Sequence, residues 1–131
     1  MIRADEDRAR IRPTPDFYKQ VVDPELKLLC ALLCSRVATP QEAVRKGAVI
    51  QQIKDLMKTD IVHFIYDKTS GEERPAFGTR DPDIIHRYGG DPNGEGREGP
   101  VRTFTYFDLT RRAWRSFRPE NIVRIDEAYT L

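Results

Sequence analysis

Apolar residues recur every three or four positions in the first half of the chain, which is the spacing of an amphipathic helix. Thr14-Pro15, Asp23-Pro24 and Thr39-Pro40 each place a capping residue before a proline at the first helical position, and Glu42 completes a capping box with Thr39. These signals predict three helices, over residues 15–22, 24–36 and 40–58. The two longer helices are separated by only a few residues and therefore predict a helical hairpin.

From Asp60 onward the apolar period falls to two, which indicates β-strands. Pro75 cannot donate to a strand ladder, so its strand should be an edge there or carry a bulge, and Gly78 suggests a close backbone approach. Residues 118–121 read as one tight helical turn before the last strand. The predicted strands cover residues 61–66, 74–79, 102–107, 112–117 and 122–126.

Five short strands with a tight turn before the fifth are the order of an SH3-like barrel. The predicted fold class is therefore α+β, with an N-terminal helical hairpin packed on a five-stranded SH3-like β-barrel. We predict a flexible arm over residues 1–12, the hairpin over 13–58 and the barrel over 59–131. A loop over residues 89–100 holds five glycines and two prolines. It is either functional or a tolerated flexible insertion.

Composition narrows the class of protein. The chain has 131 residues, of which 39% are hydrophobic and 33% charged, with a net charge of +1. This predicts a single soluble domain without a membrane span, and residues 1–12 are too charged for a secretion signal. Cys30 and Cys34 lie four apart on one helix face, which favours buried thiols in a reducing compartment over a disulfide or a metal pair. We therefore predict a cytoplasmic protein.

Charge is distributed unevenly, and this points to a ligand. Residues 101–131 hold six arginines and four acids but no lysine. Arginine is favoured where planar contact with phosphate or carboxylate, or stacking on aromatic rings, is useful. The segment 106–118 would form a β-hairpin whose second strand alternates aromatic residues and arginine around the only tryptophan.

Period-two alternation places Ala113, Arg115 and Phe117 on one face of that strand and Trp114 on the other. At most one of Arg115 and Arg118 can then share a pocket with the tryptophan unless a bulge intervenes. The candidate residues are of two kinds, cations to pair with phosphate and rings to stack on a base. The cations are Arg102, Arg112, Arg115 and Arg118, and the rings are Tyr106, Trp114 and Phe117.

Catalytic motifs are not recognisable. His63 and His86 have no partner at a metal-ligand spacing on their own elements, and no serine stands in a nucleophile-elbow context. A glycine-rich phosphate cradle would need a Lys-Ser or Lys-Thr pair after the loop, which is missing. We therefore expect a protein that is not an enzyme and uses neither cofactor nor metal.

The motif Arg74-x-Ala-x-Gly78-Thr79, with the closing Trp114-Arg-Ser-Phe-Arg118, resembles a family of small uncharacterised bacterial and phage proteins with an SH3 β-barrel fold. The resemblance covers residues 61–126. More weakly, the closing segment is similar to the ligand-binding domain named for its Trp-Tyr-Leu motif, which occurs in bacterial defence regulators. Here Tyr106-Phe-Asp-Leu109 stands where that tripeptide would be. The resemblance implies the barrel fold and suggests ligand binding.

Three hypotheses follow. The first is a binding protein for a phosphate-bearing ligand, either a nucleotide signal or single-stranded nucleic acid, with a phage anti-defence nucleotide sponge as one form. The second is a protein-interaction adaptor or oligomerisation module, with the helical hairpin pairing with its own copy as a homo-oligomer. In the third, Trp114 and Phe117 fill the barrel and the arginines form ion pairs at its rim.

Overall fold

The computed structural model describes residues 23–94 and 103–130. The predicted arm, the helix over 15–22, Arg102 and the second half of the loop over 89–100 lie outside the described residues. The helices are α1 (Pro24–Leu33), α2 (Pro40–Leu56) and α3 (Pro82–Arg87). The strands are β1 (Asp60–Asp67), β2 (Glu73–Thr79), β3 (Phe104–Asp108), β4 (Ala113–Phe117) and β5 (Ile122–Thr130), and a single 3-10 turn (Pro119–Asn121) precedes β5.

Both long helices begin where their capping residues predict. An Oδ1 atom of Asp23 accepts the amide of Glu25 at 2.9 Å, and Oγ1 of Thr39 accepts the amide of Glu42 at 3.1 Å. The helices end at Leu33 and Leu56, slightly before the predicted ends. The residues that follow form short turns, because tighter hydrogen bonds satisfy the last carbonyls of each helix.

Helix α3, between β2 and β3, is not among the helices that the sequence patterns predicted. Asp81 caps α3 by accepting the amide of Asp83 at 2.9 Å, and Pro82 occupies its first turn. The sequence patterns predicted neither a helix nor a strand over these residues, because six residues are too few to show a helical period. Ile84 and Ile85 on this helix are buried.

The five strands form one antiparallel sheet in the order β4-β3-β2-β1-β5. Among the described strands the sheet does not close, so β4 and β5 are its edges. Strands β2 and β3 pair at Gly78 and Thr79, and no described strand pairs with β2 at Pro75 on that side, as expected for proline. Two register shifts between β1 and β5 mark bulges in that pair.

The helical hairpin packs on one face of this sheet, and the α+β class with helices on an SH3-like sheet is confirmed. The main core joins helix residues such as Leu33 and Ile53 to aromatic side chains of the strands. Those aromatic residues are Phe64, Tyr66, Phe104, Tyr106 and Phe117. A smaller cluster of Ile61, Ile84 and Leu109 lies between the sheet and α3 on the other face.

Polar contacts fix the hairpin to the turn before β5. Nζ of Lys46 donates to the backbone oxygen of Glu120 at 2.6 Å, and Nη1 of Arg36 lies 3.2 Å from the Glu120 carboxylate. Cys30 is buried and Cys34 partly buried, and both are free thiols. Within the described ranges, no helix has the length and apolar character needed to cross a bilayer.

Candidate functional site

Strand β4 pairs with β3 in a regular register. This register shows which face of the sheet each side chain of β4 occupies. Arg115 lies opposite Tyr106 and Phe117 opposite Phe104, so these side chains share the face that carries the helices. Trp114 lies opposite Phe107 on the outer face. No bulge interrupts this pairing, so Arg115 and Trp114 point to opposite sides of the sheet.

A cleft of about 340 Å³ opens at the end of the sheet where β1 turns into β2 and β4 runs towards the 3-10 turn. Of the described residues that line it, four are cations and one, Asp67, is an acid. The cations are Lys68, Arg74, Arg115 and Arg118. The polar residues Thr69, Thr103, Ser116 and Asn121 also line it.

Carboxylates outside the cleft neutralise these cations only in part. Nη1 of Arg118 lies 4.0 Å from Glu120, at the limit of an ion pair, and Lys68 pairs with Glu72 in the solvent-exposed turn. Such exposed pairs contribute little and exchange readily with other anions. Arg74 forms no ion pair within the described part of the chain. Among the described residues that line the cleft, positive side chains therefore outnumber negative ones, which favours an anion.

Arg115 is held more firmly than its neighbours. Its Nε lies 3.4 Å from Oδ2 of Asp108, a carboxylate that is only 3% exposed. The other oxygen of Asp108 accepts the amides of Thr110 at 2.9 Å and Arg111 at 3.1 Å in the β3–β4 turn. This arrangement fixes the guanidinium at the wall of the cleft before any ligand arrives, which reduces the entropy lost on binding.

The floor of the cleft is aromatic and tightly packed. Tyr66 and Phe117 stack with ring centroids 4.5 Å apart, and both are nearly buried. The hydroxyl of Tyr66 lies 3.0 Å from that of Tyr106, which is fully buried below it. Burial raises the pKa of Tyr106 far above its usual range, so this hydroxyl stays protonated. These rings give a rigid base but little exposed area for stacking.

The structure thus brings together three of the residues predicted from sequence: Arg115, Phe117 and Arg118 line one cleft. Tyr106 lies in the core beneath it, and Arg102 lies outside the described residues. Arg112 adopts a positive φ of 55° in the β3–β4 turn, where its guanidinium lies 5.9 Å above the ring of Tyr88. That turn is at the opposite end of β4 from the cleft.

Sequence reasoning missed Lys68, Arg74 and Asn121. Arg74 could have been found, because it lies directly across from Tyr66 in the β1–β2 hairpin, and counting outward from the turn over 69–71 gives this pairing. Lys68 and Asn121 gave no such signal, since they stand in turns whose direction depends on the whole fold. No cluster of three or more residues able to hold a metal ion occurs in residues 23–94 and 103–130.

The open five-stranded sheet and the helical turn before its last strand define a domain of the SH3-like fold, and the cationic cleft is its candidate binding site. The chain belongs to the family WYL_2, described as a Sm-like SH3 β-barrel fold, whose sequence model matches residues 50–123. No curated protein and no solved structure matches the chain. The WYL type is a ligand-binding family, and the match spans every described residue of the cleft. A bacterial or phage source stays a prediction.

Proposed function

We propose that the protein binds a phosphate-bearing ligand in the cleft between the β1–β2 turn and the end of β4, without catalysing a reaction on it. The observation that carries this proposal is the convergence of Lys68, Arg74, Arg115 and Arg118 on one cleft, where Asp67 is the one acid among the described lining residues. Two separate parts of the chain supply these cations: the β1–β2 hairpin supplies Lys68 and Arg74, and β4 with the residue after it supplies Arg115 and Arg118. Guanidinium groups suit phosphate because their planar donors can contact two oxygens at once.

Phosphate fits the lining better than carboxylate does. A phosphate group can accept hydrogen bonds from several sides, and the cleft presents hydroxyls and an amide between its cations. The rings of its floor are nearly buried, so within the cleft itself the anion would be recognised by charge and hydrogen bonds rather than by stacking. Ligands of this class include nucleotide signals and single-stranded nucleic acid.

A direct test is calorimetric titration with inorganic phosphate, pyrophosphate, nucleoside phosphates and short single-stranded oligonucleotides. We expect binding that weakens as salt rises, because exposed charge pairs are screened. Arg74→Ala should weaken binding by about ten- to a hundredfold, since a hydrogen bond to a charged group contributes about 1.5–3 kcal/mol. Arg115→Gln should do the same.

Arg87→Ala is the matched control, because Arg87 is an exposed arginine of α3 that does not line the cleft. It should leave binding unchanged. A panel in which no phosphate-bearing compound binds, or an Arg87→Ala variant that loses as much affinity as Arg74→Ala, would contradict the proposal.

The nucleotide sponge is a specific form of this proposal. A sponge releases its ligand intact, so a bound nucleotide recovered after prolonged incubation and denaturation should be chemically unchanged by mass spectrometry. Recovery of a hydrolysed product would instead indicate an enzyme. The predicted homo-oligomer is tested separately by light scattering. Much of the hairpin's apolar stripe, including Leu29 and Leu33, is already buried against the protein's own sheet.

A further inference from the structure

A second depression, of about 260 Å³, lies on the outer face of strands β3 and β4. Thr105, Trp114, Arg115 and Ser116 line it. Arg115 and Ser116 also line the cationic cleft, so the two depressions adjoin across β4. Because β4 is an edge of the described sheet, no other described strand separates them on that side.

Trp114 offers a fixed aromatic surface in this second depression. Its indole N–H donates to the backbone oxygen of Asp91 at 3.0 Å, and its ring meets that of Phe107 edge to face with centroids 5.7 Å apart. The side chain remains partly exposed. A ring that is already fixed in place loses little entropy when a flat ligand stacks on it.

Thr105 supplies a second, independent signal. Its hydroxyl oxygen is buried and has no hydrogen-bond partner within the described residues. A buried hydroxyl without a partner costs free energy, and native proteins retain few of them. Thr105 itself lines the depression that also holds the indole, so a ligand seated there has this hydroxyl directly behind the wall, and a small movement of the side chain would let the hydroxyl bond the ligand's edge.

We propose that this depression is a base subsite, and that the ligand is a single nucleotide that bridges the edge of β4. Its planar heterocycle contacts Trp114 and bonds the hydroxyl of Thr105, while its phosphate reaches the cationic cleft beside Arg115. This inference rests on the proposed function. One aromatic surface beside one anion cleft fits one nucleotide unit, whereas a nucleic-acid strand is typically held on successive aromatic surfaces.

The test compares AMP, GMP, CMP and UMP with ribose 5-phosphate, which carries the phosphate and sugar but no base. At least one nucleotide should bind about tenfold or more tightly than ribose 5-phosphate, which is the range that base stacking on aromatic side chains supplies. It should also change the fluorescence of Trp114, the single tryptophan of the chain.

Thr105→Val isolates the hydroxyl, because valine keeps the side-chain shape and the strand preference. This variant should bind the nucleotide about tenfold more weakly, as expected for the loss of one hydrogen bond. Its affinity for ribose 5-phosphate should be unchanged. Thr110→Val is the control, since Thr110 is an exposed threonine of the β3–β4 turn. It should alter neither affinity.

The outcomes separate this inference from the proposed function. If ribose 5-phosphate binds as tightly as every nucleotide, the base subsite is refuted while the phosphate cleft stands. The subsite is also refuted if a nucleotide binds better but Thr105→Val has no effect, or if only oligonucleotides bind. If none of the phosphate-bearing compounds binds, the proposed function itself fails.

Discussion

The buried carboxylate of Asp108 provides the sharpest test of the geometry around the cleft. It accepts two backbone amides and faces the guanidinium of Arg115 from a site that is only 3% exposed. Asp108→Asn keeps an oxygen that can accept the two backbone amides, but it removes the negative charge. The group that then faces Arg115 is either an amide NH2 donor or a neutral oxygen, which is a weaker acceptor. Asp108→Ala removes the carboxylate altogether and leaves all three donors without an acceptor.

The expected magnitudes follow from the kinds of hydrogen bond that each substitution weakens or removes. Hydrogen bonds to charged groups contribute about 1.5–3 kcal/mol and neutral ones about 0.5–1.5 kcal/mol. Replacing charged by neutral hydrogen bonds should therefore lower the free energy of unfolding by about 2 kcal/mol in Asp108→Asn. The decrease in Asp108→Ala should be about 3 kcal/mol, because water can reach part of the turn.

The assay is urea unfolding followed by Trp114 fluorescence and circular dichroism. A double-mutant cycle with Arg115→Gln should give a coupling energy of about 1–2 kcal/mol, as expected for directly interacting groups. The matched control is the exposed ion pair of Arg124 and Asp126, in which Nε of Arg124 lies 2.9 Å from Oδ1 of Asp126. There Asp126→Asn should lower the free energy of unfolding by less than about 0.5 kcal/mol. A coupling energy near zero at Asp108 would refute the idea that this carboxylate holds Arg115 in place.

Three further predictions concern the framework. Gly78→Ala should destabilise the protein by about 1–3 kcal/mol in urea unfolding, because an added Cβ would lie 2.5 Å from the buried ring of Tyr106; an unchanged midpoint would contradict this packing. Burial raises the pKa of Cys30 to about 11, so at pH 8 roughly one molecule in a thousand carries the Cys30 thiolate. Iodoacetamide should therefore label the partly exposed Cys34 before Cys30. Labelling in the reverse order, measured by mass spectrometry, would be inconsistent with the fold. Thr39→Ala should lower the free energy of unfolding by about 1 kcal/mol in urea unfolding, because the helix cap is lost. Thr39→Ser should leave that free energy nearly unchanged.

Sequence predicted those parts of the fold that depend on local chemistry. Helix starts at Pro24 and Pro40 follow from the residues immediately before them, and the capping contacts of both are present. Strand positions follow from the two-residue period. Helix α3 was not predicted because it is short and because Asp81-Pro82, at its start, is as typical of a turn as of a helix.

The candidate site was predictable only in part. Alternation separates the two faces of β4, but both faces mix apolar and polar residues, so the sequence could not say which face meets the core. Pairing with β3 decides this, because Phe104 and Tyr106 belong to the main core and lie opposite Phe117 and Arg115. Pairing between distant strands, rather than local preference, therefore determines the cleft.

A simpler explanation for arginine on β4 deserves comparison with ligand binding. Charged side chains on an edge strand discourage pairing with other chains, and β4 is such an edge. That explanation accounts for Arg115 and Arg118 taken alone. It does not require Lys68 and Arg74, from another hairpin, to line the same cleft, nor a buried carboxylate that holds Arg115 at its wall. Convergence of cations from separate elements, rather than the number of arginines, is therefore the feature that favours a binding site.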